Sequence, residues 1–118
     1  RDGEVIAVAR NERELRADPT AHAEVLAIRA AALALGGWRL IGCEMHVTLE
    51  PCPMCAGAIL SARLERVVFG ASDPKLGAAG SRVDLLRDPR LPGTPCVESG
   101  PCAERSASLL QGFFTARR

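Results

Sequence analysis

The chain has 118 residues, 47% of them hydrophobic, and its 15 lysines and arginines nearly balance 14 aspartates and glutamates, leaving a net charge of +1. That length supports one compact domain with its own core, and near neutrality excludes a strongly basic, sequence-blind nucleic-acid coat. A membrane span needs about eighteen uninterrupted apolar residues, and the richest stretch, residues 25–40, is broken by Arg29, Gly36, Gly37 and Arg39.

The opening Arg1, Asp2, Gly3 and Glu4 show no basic patch leading into a hydrophobic segment and no small-residue cleavage site, which points to the cytoplasm. Five cysteines is an odd number, and two of them form a Cys-x-x-Cys, which favours metal ligation over a disulfide framework. Lys75 is the sole lysine. Arginine suits bidentate phosphate contacts and stacking on bases, although a compositional bias of the genome explains the same preference.

In chain order, residues 4–9 form a short apolar run bounded by turn residues and polar sequence, which predicts a strand entering a loop. Asp18 and Pro19 predict a helix start, with aspartate as N-cap and proline in the first turn. Residues 20–35 are rich in alanine and leucine with almost no polar face, which predicts a helix buried on most sides, ending at Gly36 and Gly37. Residues 45–49 alternate as a strand that Glu50 and Pro51 end.

A second helix is predicted over residues 52–62, with Pro53 tolerated in the first turn because the missing N–H removes no helix bond. Residues 66–70 predict a third strand, residues 71–81 a Gly/Ala-rich loop outside the core, and residues 82–87 a short helix. After a proline-rich excursion over 88–95, residues 96–98 predict a short strand. Residues 103–116 predict a terminal helix, with Leu109, Leu110, Phe113 and Phe114 at helical spacing. Strands alternating with helices indicate a mixed α/β sandwich.

The chemistry concentrates in two places. His22 and Glu24 stand in a His-x-Glu, and Cys52 and Cys55 in a Pro-Cys-x-x-Cys. His22, Cys52 and Cys55 supply three zinc ligands and leave a fourth tetrahedral position for water. Both groups fall at predicted helix N-termini, whose positive ends and free N–H groups favour thiolate. Glu24 is turned from His22 by roughly 200° at 3.6 residues per turn, so it is expected to flank the ion as proton carrier. A structural site is the competing reading. It requires a fourth protein ligand, and Cys43, His46, Cys96 and Cys102 are the residues available.

His-x-Glu with Pro-Cys-x-x-Cys is the zinc-deaminase signature, and over nearly its whole length the sequence resembles the bacterial tRNA adenosine deaminases of the cytidine deaminase superfamily. The resemblance is carried by Asn11, Asp18-Pro19-Thr20-Ala21-His22-Ala23-Glu24, Val47-Thr48-Leu49-Glu50-Pro51-Cys52-Pro53-Met54-Cys55-Ala56-Gly57-Ala58, Arg66-Val67-Val68-Phe69-Gly70-Ala71, Asp73-Pro74-Lys75, Gly77-Ala78-Ala79-Gly80-Ser81, and the closing Phe113-Phe114 and Arg117-Arg118. It implies a three-layer α/β/α cytidine-deaminase-like sandwich with a central mixed sheet, as a single domain over residues 1–118. It also implies one Zn2+ per chain, a homodimer, and conversion of the wobble adenosine to inosine in a tRNA anticodon loop.

By the same resemblance, Asn11 and the backbone of Ala23 hold the flipped purine, Asp73 and Lys75 meet the neighbouring anticodon nucleotides, and Phe114 and Arg117 lie along an RNA-contacting edge. Family members carry a helix and a strand ahead of the first strand predicted here, so the chain is expected to be short at its N-terminus. The alternatives are a deaminase of a free nucleobase or of single-stranded DNA, including an engineered base editor, and a non-catalytic deaminase-fold subunit.

Overall fold

A computed structural model describes residues 1–100. The order of elements is α1 (Arg13–Arg16), α2 (Ala23–Leu35), β1 (Glu44–Leu49), α3 (Pro53–Ala62), β2 (Arg66–Ala71) and β3 (Cys96–Ser99). The three strands form one sheet in the order β1-β2-β3. Both pairings are parallel, with Met45 opposite Val67 and Val67 opposite Val97, and Val47 opposite Phe69. The chain is α/β, as expected. The mixed character expected of the sheet is not seen among the described residues.

Alternation along the strands gives the sheet two unlike faces. Met45, Val67 and Phe69 turn into the core with Ile59, Leu60 and Leu86, and Ile28, Ala31 and Leu35 of α2 pack against that cluster. Ile59, Val67 and Leu86 are fully buried, each stabilising by roughly 1.5–3 kcal/mol relative to exposure. On the opposite face Arg66 of β2 reaches Glu44 of β1 at 3.0 Å and Glu98 of β3 at 2.6 Å, one guanidinium spanning three strands.

Four local expectations change. Residues 4–9 form no strand; Val5 and Val8 are 80% and 85% exposed, and an isolated strand without a partner cannot satisfy its backbone. Asp18 does not cap α2, because its Oδ1 accepts from the Thr20 N–H at 2.8 Å and the Thr20 hydroxyl at 2.7 Å in a local turn. α2 therefore starts at Ala23 with His22 as its N-cap, and none of its residues is fully buried. Residues 82–87 make turns instead of a helix, with Ala79 bridged to Asp84.

The fourth change concerns residues 71–81. Ala78 and Ala79 are 0% and 4% exposed and belong to the core, against the expectation of a loop outside it. The predicted ends of the two long helices are present. Gly36 closes α2 in the left-handed region at φ 75°, and Pro53 opens α3 in its first turn. The predicted terminal helix, with Phe114, lies outside the described residues.

Candidate metal centre and its carboxylates

The two ligand-bearing helices begin alike. His22 is the N-cap of α2 at φ −72°, ψ 150°, and Cys52 is the N-cap of α3 at φ −75°, ψ 172°. Neither N-cap makes a side-chain capping bond. Both side chains are thus released to the space between the helix ends, where the backbone N–H groups and macrodipoles favour negative charge. Cys55 follows in the first turn of α3 and is fully buried. Sequence reasoning put His22 inside the first helical turn; its extended conformation instead swings the imidazole toward α3.

His22 Nδ1 lies 3.6 Å from Cys52 Sγ and 3.4 Å from Cys55 Sγ, and the three donor atoms all fall within 4.8 Å of one another. A tetrahedral zinc at about 2.0–2.1 Å from an imidazole nitrogen and about 2.3 Å from a thiolate separates N from S by roughly 3.6 Å. The donor set fits such an ion in type and spacing. Among the described residues no fourth His, Cys, Asp or Glu joins this group. Cys43 is in the core, His46 stands on the charged sheet face near Glu44, and Cys96 is exposed on β3. Cys102 lies outside the described residues.

Burial pushes the Cys55 thiol far above its ordinary range, and the nearby Glu24 carboxylate and Cys52 push it further in the same direction. This places Glu24 beside the ligands without making it one of them. A dication at the cluster reverses that balance, because two thiolates then face positive charge.

Glu50 has a role the sequence reading missed. It is 2% exposed, yet its carboxylate accepts from the N–H groups of Asp73, Ala79 and Ser81 at 3.0, 2.9 and 3.1 Å and from the Ser81 hydroxyl. Burial raises its pKa, but those donors together outweigh burial and hold it below the usual carboxylate range. The Ala78 N–H donates to the Pro51 carbonyl at 2.8 Å, so the loop is fastened to the two residues ahead of Cys52. Gly77 passes so close that a Cβ would stand 2.3 Å from Glu50 Oε2. The only trace of this in the sequence is Gly77-Ala78-Ala79-Gly80, whose small side chains permit the approach.

Of the expected substrate contacts, Asn11 is exposed, and its Oδ1 accepts from the Arg13 N–H at 2.9 Å. The neighbouring Glu12 N–H donates to Ala21 O at 2.9 Å, which ties this segment beside His22. Ala23 is the first residue of α2. Asp73 is half-buried and shapes its own turn, accepting from the N–H groups of Lys75 and Leu76 at 3.0 and 3.3 Å, while Lys75 is exposed. A cleft of about 600 Å³ runs between residues 3–9, α2 and β1; it reaches Ala23 and Glu24 but none of the three metal donors.

An α/β fold that brings an imidazole and two thiols together at facing helix starts, with a carboxylate alongside, has the donor set of a class of hydrolytic proteins that bind a metal through three side chains. A model of the MafB19-like deaminase family matches residues 1–118, and the chain belongs to that family. It is 49% identical over 117 residues to the tRNA-specific adenosine deaminase of Bacillus subtilis (strain 168), covering 99% of this chain and 73% of that protein. It is 47% identical to the tRNA-specific adenosine deaminase of Agrobacterium fabrum (strain C58), covering 99% and 77%. A solved structure from work on A-to-I editing by tRNA:A34 deaminases at the wobble position of transfer RNA aligns with a TM-score of 0.87 at 47% identity, covering 92% of this chain and 78% of that one.

Proposed function

We propose that this protein is a tRNA adenosine deaminase that hydrolyses the wobble adenosine of an anticodon loop to inosine and ammonia. The observation that carries the reading is the convergence of His22, Cys52 and Cys55 on one point with Glu24 beside it. The identities to two tRNA-specific adenosine deaminases support the substrate class. An unpaired anticodon loop spares the cost of opening a duplex before the base is flipped.

His22, Cys52 and Cys55 would hold one Zn2+ per chain. Bound there, zinc supplies a water whose pKa falls toward about 7. Glu24 takes one proton of the attacking water and delivers it to the purine ring nitrogen as the C6–O bond forms; it then takes the remaining proton from the new C6 hydroxyl and passes it to the amine, so that the C–N bond breaks, ammonia leaves and the C6 carbonyl forms. The N-terminus of α3, which carries both Cys52 and Cys55, would add to the ion's pull in favouring their thiolate forms. Asn11 and the backbone of Ala23 hold the purine, Asp73 and Lys75 meet the flanking nucleotides, and Phe114 belongs to an RNA-contacting edge.

The working unit is a homodimer of single-domain chains in the cytoplasm. Among the described residues no helix is long and apolar enough to cross a membrane. The experiment is incubation of zinc-loaded protein with an anticodon stem-loop bearing a wobble adenosine, alongside a matching DNA oligomer and free adenine. Inosine in the RNA alone is the expected product; its absence, with zinc bound, overturns the reading.

A further inference from the structure

Glu50 is a buried charge that the proposed chemistry does not use. Its two oxygens divide their donors evenly. Oε1 accepts from the Asp73 N–H and the Ser81 hydroxyl, and Oε2 from the N–H groups of Ala79 and Ser81. A loop with no helix or strand of its own is thus wound around one carboxylate, which sits directly before Pro51 and Cys52. Asp73 and Lys75 ride on the outer rim of that loop, exposed or half-exposed, while Gly77 and Ala78 are pressed against Glu50 and Pro51 beneath it.

We infer that Glu50 is a positioning residue for RNA recognition: it fixes the rim carrying Asp73 and Lys75 against the start of α3, so that nucleotides flanking the reacting adenosine meet a preformed surface. The inference rests on the function proposed above. Backbone N–H groups can only donate, so the loop needs an acceptor-only partner at both oxygens. A glutamine of the same shape fails whichever way its amide is turned. Its NH2 then faces either the Asp73 N–H or both the Ala79 and Ser81 N–H groups, and the rim is driven off its seat. The metal donors, bound through α2 and α3, keep theirs.

The test is steady-state kinetics of the full chain on the anticodon stem-loop, with zinc content measured on each sample. Glu50→Gln is expected to keep one zinc per chain and to raise KM by roughly tenfold or more, the scale for buried donors that lose their acceptor, with kcat changed less than about threefold. Gly77→Ala leaves Glu50 in place but sets a Cβ 2.3 Å from Oε2 and 2.5 Å from the Asp73 carbonyl, and is expected to reproduce the split. Ser81→Ala removes the hydroxyl donor alone and is expected to raise KM by a few-fold. Unchanged KM in Glu50→Gln, or kcat and zinc content falling with KM unmoved, overturns the inference. If the first two variants do not fold, an unchanged KM in Ser81→Ala overturns it and a raised KM supports it. A wild-type chain that makes no inosine removes the function itself, whereas an active wild type with an indifferent Glu50→Gln removes only this role.

Discussion

At the residue scale, the proposed function assigns separable jobs to the cluster and its flanking carboxylate. Glu24→Ala is expected to lower kcat by about 10² to 10⁴-fold, the range for a lost general acid–base group, while elemental analysis still finds zinc. Cys55→Ala, by contrast, removes a donor from a buried site. Zinc content should fall well below one per chain and the melting temperature should drop by several degrees, because metal affinity and folding are coupled. The placement of Cys52 and Cys55 was readable from the sequence because short local rules set it: Pro53 marks a helix start, and a Cys-x-x-Cys spacing fits one turn; His22 was readable as a donor type but not as the N-cap, because Asp18 turns back on Thr20 instead of capping α2. Glu50 was not, since its donors lie 23 to 31 residues further along and three of them are main-chain N–H groups, which look the same in every sequence.

Among the elements, the ends of the helices are governed by backbone conformation more than by packing. Ala17 closes α1 at φ 49°, a left-handed conformation that burdens a side chain; Gly36 closes α2 at φ 75° with open space where a Cβ would go. Ala17→Gly is therefore expected to stabilise by about 0.5–1 kcal/mol, and Gly36→Ala to destabilise by about 1 kcal/mol, both read from thermal or urea unfolding. Gly36 was legible as a stop. Residues 4–9 misled because an apolar run reports only a wish for burial, and a strand forms only where a neighbour offers an edge. Residues 71–81 misled in the other direction: Ala78 and Ala79 are small enough to enter the core through the close approach that Glu50 organises.

For the whole molecule, the alternation of helices and strands sufficed to give the α/β class, and the alternation expected over residues 45–49 is present as β1, with Met45 in the core and Val47 packed against it. The order and direction of strands depend on pairings between distant segments, which no local pattern encodes. The charged face has a pH signature. The Arg66 guanidinium holds the Glu44 and Glu98 carboxyls below their ordinary range, with His46 and Cys96 as their other neighbours. Carboxyls depressed in the folded state stabilise it above their unfolded pKa, and that contribution is lost as pH falls through the lower, folded values. A melting series from about pH 6 down to pH 3 should show this loss, weakened by salt because the groups are exposed. Arg66→Gln should lose less stability over the same interval than the wild type.

The two N-caps that face each other have a topological consequence. Cys52 and His22 are 30 residues apart in the chain, and α2 and β1 lie between them. Any ion gripping both ends works as a cross-link and cinches that span, restricting the denatured chain as a disulfide does, by about 3.6 kcal/mol on loop-closure entropy alone. Metal availability would then decide how long the polypeptide survives as well as whether it turns over substrate.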